Sequence, residues 1–301
     1  MKKTVWIVLL GVMCVSSLTA KAYRIRGSEQ HKTQEVYSVA PFTALSVSGQ
    51  IEVEFVQGPE GTYTAQFTGP YNLAELVNIK SAEDVLSISY TKPLVVLGDE
   101  HVRVKIAAPN LKRIEVKQSG EVHSHNTLVA EELVLRTDGK GEIELDEVSA
   151  RAVSAELQGD SEIEILFLTC DILQVNAQDT ASVDVQNTRC ARVISRAHNR
   201  AQVEITGLNS KQVIAETFQS SETEIKGQTD LASLTARDRS EIDAEGLQAA
   251  DADVMAERAA HVGVRVTGTL NAQTQGRGVV EYKGWPQEIN RTGKGTLKQD
   301  K

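Results

Sequence analysis

Acidic residues recur at one spacing through most of this sequence. His123, Glu144, Glu164, Asp184, Glu204, Glu224, Asp243 and Gly263 fall about 20 residues apart. A second set, Glu121, Glu142, Glu162, Ser182, Gln202, Glu222, Glu241 and His261, runs two positions ahead of them. If the chain stacks at that repeat, like charges sit roughly 5 Å apart, which is unfavourable by a few tenths to about 1 kcal/mol per pair. Two readings fit such a strip, centred on Glu144, Glu164, Asp184, Glu204, Glu224 and Asp243. Hard cations take carboxylate oxygens, so it could hold a divalent cation or a basic partner. It could equally be a solvated face that resists aggregation, its repulsion relieved by water and salt. The Gly-Gly-x-Gly-x-Asp pattern of calcium-binding β-rolls is absent from the repeat.

Cys170 and Cys190 are also one repeat apart, in a column that otherwise holds Ala130, Ala150 and Ser210. Neighbouring strands bring Cα atoms within bridging range, so a disulfide is open to them in an oxidising compartment. Parallel side-chain directions oppose the bridge, and two stacked buried thiols are the other outcome. His123 and His125 share one face of a strand, but no third ligand accompanies them, so they read as a surface pair and no metal site is assigned. The Gly-x-Gly units at 139–141 and 293–295 follow strands without opening helices, so they are turns and not phosphate loops. No nucleophile elbow and no catalytic residue can be named, and no cofactor is implied.

The elements that must position these residues are short strands. From about residue 111 the chain alternates apolar and polar residues between turns rich in Gly, Asp, Asn and Ser. One apolar column reads Ile114, Leu133, Val153, Leu173, Val193, Val213, Leu234, Val254, Leu270. Another reads Val122, Ile143, Ile163, Val183, Val203, Thr223, Ile242, Val262, Val280, Leu297, and a weaker third reads Leu128, Val148, Leu168, Thr188, Leu208. A unit of about 20 residues suits one coil of a β-helix, with strands pairing in parallel between coils about 4.8 Å apart. The expected fold is all-β, a right-handed parallel β-helix or β-solenoid, with regular coils over 111–298. Residues 36–110 are β-rich but less periodic and are expected to form irregular coils or a cap, and 23–35 to be mobile. Tyr282-Lys-Gly-Trp-Pro286 breaks the pattern, and Trp285 is expected to cover the last coil. Arg136, Glu156, Asn176, Arg196, Glu216, Arg237 and Glu257 fall at one phase and alternate in sign, as do Glu131, Arg151, Asp171, Ala191 and Lys211. These read as ion-pair ladders between coils, each pair worth little alone.

Residues 1–22 read as an export signal: Lys2 and Lys3, an apolar run from Val5 to Val15, and Ala20-Lys21-Ala22 before the cut. The apolar run is too short to span a bilayer. Cys14 follows Met13 and not the small residue a lipoprotein signal wants, so cleavage after Ala22 without a lipid anchor is expected. Setting the signal aside removes three lysines and no acids, which takes the net charge from −9 to −12. That balance excludes nucleic acid and anionic lipid as electrostatic partners. Aromatic residues make up 4% of the chain, little from which to build a carbohydrate platform.

Several stretches occur in an order that resembles one known family. They are Val47-Ser-Gly-Gln-Ile-Glu-Val-Glu-Phe-Val-Gln-Gly58, Asn72 with Leu86-Ser-Ile-Ser89, the Gly-x-Gly-x-Ile turns, and Val279-Val-Glu-Tyr-Lys-Gly-Trp-Pro286 before Gly293-Lys-Gly-Thr296. The family is the one called putative auto-transporter adhesin, head GIN domain. The middle coils depart from its Gly-Ser-Gly turns with Gln158-Gly-Asp-Ser161, Gln178-Asp-Thr-Ala181 and His198-Asn-Arg-Ala201. The resemblance implies a β-helix-like fold in the envelope of Gram-negative bacteria, periplasmic or at the cell surface, and brings no catalytic residues. The expected function is a non-enzymatic adhesin or envelope interaction protein whose unidentified partner is a protein or a glycan. The alternative is a polysaccharide lyase or hydrolase on a β-helix, which needs long loops that coils of 19 to 21 residues leave no room for. An ice- or crystal-binding ladder would show flat threonine columns, and this chain shows carboxylates.

Overall fold

Buried and outward residues alternate along each straight run of a long strand, and the alternation skips where the coil turns a corner, as between Leu145 and Val148. In the strand Glu142–Gly159, Ile143, Leu145, Val148, Val153, Ala155 and Leu157 are buried while Glu142 and Glu144 face solvent. The computed structural model describes residues 23–28, 32–98 and 101–300; the expected export signal, with Cys14, lies outside them. The structure is nearly all-β, 75% strand and 1% helix, and parallel coils stack into a β-solenoid of about nine turns. Apolar surface is buried coil against coil, so the core is a narrow rod running the length of the stack.

One column runs through it without a slip. Val104, Val53, Val122, Ile143, Ile163, Val183, Val203, Thr223, Ile242, Val262, Val280 and Leu297 are successive register partners. Its polar member, Thr223, is fully buried, and its Oγ1 lies 2.9 Å from Thr217 Oγ1, so both hydroxyls are satisfied. The Leu133 column holds through Val153, Leu173, Val193 and Val213, then passes to Ala232, Ala252 and Leu270. Leu234 and Val254 stand over Ala215 instead, and Ile114 pairs with Leu135 and not Leu133. Register shifts after Ile205 because the next coil is one residue shorter at that corner. Arg237 and Glu257 move with it: Glu216 faces Thr235 and then Met255, so those two charges leave the Arg136 column.

The turn before the acidic strands repeats one conformation. Gly139, Gly159, Asp179, Asn199, Gln219, Asp238, Arg258 and Gly276 all have φ between 64° and 88°. At Gly159 a Cβ would lie 2.8 Å from the Gly139 carbonyl oxygen, so glycine is required there. The next residue donates its backbone N–H to the preceding coil: Asp160 to Gly139, Thr180 to Gly159, Arg200 to Asp179. Asp and Asn tolerate this conformation, which is why the middle turns keep their shape without glycine.

The first coils are stacked out of sequence. Ala44–Ser48 lies between Val85–Tyr90 and Arg113–Gln118, all parallel. Ile51–Gln57 lies between Val102–Ala108 and the start of Glu121–Gly139, again parallel. Thr64–Pro70 then runs antiparallel to both Val102–Ala108 and Lys32–Ser38, and Val77–Ala82 antiparallel to Val85–Tyr90. The segment 23–35, expected to be mobile, contains the strand Tyr23–Arg26, paired with Leu94–Leu97, and the start of Lys32–Ser38. At the other end Trp285 does not cover the stack: it is 85% exposed, and the chain passes it to add Glu288–Gly293 and Thr296–Gln299 to the previous coil.

Candidate functional site

The carboxylate columns assemble as their spacing requires. Glu144, Glu164, Asp184, Glu204, Glu224 and Asp243 are consecutive register partners, with His123 before them and Gly263 after. Glu121, Glu142, Glu162, Ser182, Gln202, Glu222, Glu241 and His261 form the parallel column two residues away. Both columns are held outward by the buried column between them, so the strip is as straight as the core behind it.

Cations gather toward its two ends. Arg103 pairs with Glu52 and Lys105 with Glu54, each at 2.6 Å. At the far end Lys226 pairs with Glu224 and lies 3.8 Å from Glu204, Lys283 pairs with Glu245 at 2.6 Å, and Lys298 pairs with Glu281 at 2.6 Å. Among the described residues no lysine or arginine is within ion-pair distance of Glu142, Glu144, Glu162 or Glu164 at its centre. Desolvation and the neighbouring glutamates push the Glu142 carboxyl up to about 7, with Glu144 sharing a hydrogen bond. Glu121 and Glu164 are raised for the same reasons, burial first and adjacent carboxylates next. Asp184 Oδ2 accepts a hydrogen bond from Gln186 Nε2 at 2.9 Å, while Oδ1 is buried without a partner.

His123 and His125 have ring centroids 5.2 Å apart, and His125 Nδ1 lies 3.3 Å from Asp146 Oδ2. Among the described residues no three His, Cys, Asp or Glu side chains are arranged to hold a metal ion. Cys170 and Cys190 stand opposite each other, both buried. The ion-pair ladders join Arg136 to Glu156 at 2.8 Å, Arg196 to Glu216 at 2.7 Å, and Arg151 to Glu131 and Glu132.

A second surface escaped the sequence reading. Thr169, Arg189, Asn209, Gln228 and Gln248 are successive partners on another face. Beside them Phe167 is 53% exposed, and together with Asn187 they line a shallow groove. The 20-residue step from Thr169 to Arg189 to Asn209 was visible in the sequence; that Phe167 points outward was not, because a lone aromatic in an alternating run is ordinarily core.

The family model described as "putative auto-transporter adhesin, head GIN domain" matches residues 41–206 and again 194–286. No curated protein matches the chain. Among solved structures, a "putative adhesin" from Parabacteroides distasonis ATCC 8503 is 20% identical, with TM-score 0.52 over 92% of this chain and 100% of that one. A "putative adhesin" from Parabacteroides merdae ATCC 43184 is 18% identical, with TM-score 0.50 over 93% and 100%. A "putative lipid binding protein" from P. distasonis is 17% identical, with TM-score 0.50 over the same shares. At these identities the likeness is one of fold. Among the described residues no helix is long and apolar enough to cross a membrane.

Proposed function

The chain belongs to the family described as putative auto-transporter adhesin, head GIN domain, and from that premise we propose that it is a non-enzymatic contact module of the bacterial cell envelope. The observation that carries this reading is the form of the surface. Side chains repeat coil after coil along straight faces, and the turns between strands are too short to build a cleft. Such a surface supplies many weak, equivalent contacts and no enclosed place to isolate a reaction from water.

Two faces are available for contact. The acidic strip, with Glu144, Glu164, Asp184, Glu204, Glu224 and Asp243, suits a divalent cation or a basic partner. The Phe167 face sets an aromatic ring beside amide and guanidinium groups, a combination suited to a glycan or a protein surface. An array of glycans and extracellular-matrix proteins, probed with the wild type, Glu144→Lys/Glu164→Lys and Phe167→Ala, tests the reading. Binding lost in one variant and kept in the other supports it and assigns the face. Cleavage of an arrayed polysaccharide overturns it in favour of an enzyme. Calorimetry with calcium decides the cation: neither heat nor a thermal shift removes it.

A further inference from the structure

The two thiols are brought together by the register, not by a loop. Cys170, on Glu162–Ala177, is the direct partner of Cys190, on the parallel strand Thr188–Ala197. Register partners in adjacent strands have Cα atoms about 4.8 Å apart, inside the range of about 4.4–6.8 Å that a disulfide spans. Both residues are buried, 8% and 2% exposed, and their Sγ atoms are 2.7 Å apart. In this structure both are free thiols, and their sulfurs face each other across a gap wider than a disulfide's length of about 2.05 Å. The corner is built for small side chains that tie one coil to the next. In the same column Ser210 Oγ donates a hydrogen bond to its register partner, Thr229 Oγ1, at 3.0 Å.

We propose that Cys170 and Cys190 form a disulfide that staples adjacent coils in the middle of the stack. The oxidant is an external disulfide acting by thiol–disulfide exchange. A thiolate of one cysteine attacks the oxidant's S–S bond, makes a mixed disulfide and expels one oxidant thiolate. The other cysteine's thiolate then attacks the chain's own sulfur and expels the second. The two cysteines lose two electrons and two protons, and the oxidant's two sulfurs end as thiols, two glutathiones when the oxidant is oxidised glutathione. Burial dictates the timing: exchange is complete before the coils close over this corner, and afterwards soluble reductants cannot reach the bond.

Tryptic mapping tests the bond. The full chain, refolded with oxidised glutathione, is denatured, alkylated without reduction and digested. The tripeptide Cys190-Ala-Arg192 is expected joined to the peptide Ala152–Arg189, which carries Cys170, and released by reduction. Recovery of both cysteines alkylated overturns the proposal. Cys170→Ser/Cys190→Ser, whose hydroxyls match Ser210 in the column, tests the staple apart from the fold. It is expected to keep the wild-type circular dichroism and to melt about 5 °C below the oxidised chain, level with the reduced wild type. Equal melting of the oxidised chain and the variant overturns the staple.

Discussion

Glu142 carries the conflict built into the acidic strip. Burial and its glutamate neighbours raise its carboxyl to about 7, against 4.5 for an ordinary glutamate. Between those values the folded chain keeps a proton that the unfolded chain releases. The stability linked to that proton is therefore complete below about pH 4.5 and is lost as pH rises through about 7. Glu142→Gln is expected to remove this slope and to stabilise the fold by about 1 kcal/mol at pH 8, solvent having screened much of the raw shift. Thermal melts of both proteins at pH 5 and pH 8 check it: the gain appears at the higher pH and disappears at the lower. At this scale the strip itself was legible in the sequence, because spacing along the chain becomes height along the rod. The cations near its ends were less so: Lys226 and Lys283 reach the acids from outside the columns, and side-chain reach leaves no periodic trace.

Coils hold their register through the core, with ion pairs adding little. Ile163 is fully buried between Ile143 and Val183, whereas Arg196 and Glu216 are each more than a third exposed. Ile163→Ala is expected to cost about 3 kcal/mol, and Arg196→Ala within about 0.5 kcal/mol; denaturant midpoints compare the two directly. The same physics limits what the sequence reveals about register. On an inward face, positions two apart point the same way, so Ala232 and Leu234 both looked eligible to stand over Val213. The larger side chain was the natural choice, yet a coil shortened by one residue at its corner put the alanine there. The column through Val122 escaped this ambiguity because each register shift falls beyond it, at the corner that follows in the same strand, as between Ser124 and Thr127 or Ile205 and Leu208.

The molecule as a whole has two unlike ends. The N-terminal end is closed by the antiparallel strands Lys32–Ser38, Thr64–Pro70 and Val77–Ala82. The other end finishes on Glu288–Gly293, exposed throughout, and Thr296–Gln299, exposed except at Leu297. Charged and amide side chains protect such an edge from pairing with another chain. Replacing Glu288, Asn290 and Lys298 together by valine is expected to leave the fold intact and drive concentration-dependent self-association, measured by light scattering on a sizing column. An unchanged molar mass would show that the backbone edge is guarded by something else. Trp285 was expected to do that work, on the premise that a late aromatic beside a proline ends the pattern; the strands that follow it show that the ladder resumes beyond the interruption.

The out-of-order stacking of the first coils bears on how the rod can be made. Ala44–Gln57 is sandwiched between Val85–Ala108 on one side and Arg113–His123 on the other. A ribosome delivers the N-terminus first, so this segment waits for its first flank until about 50 further residues have emerged and for its second until some 65 have. Winding therefore cannot proceed lap by lap from the beginning of the chain. The downstream coils, whose neighbours in space are neighbours in sequence, carry the smaller loop-closure entropy, and the long-range contacts of the capped end carry the larger.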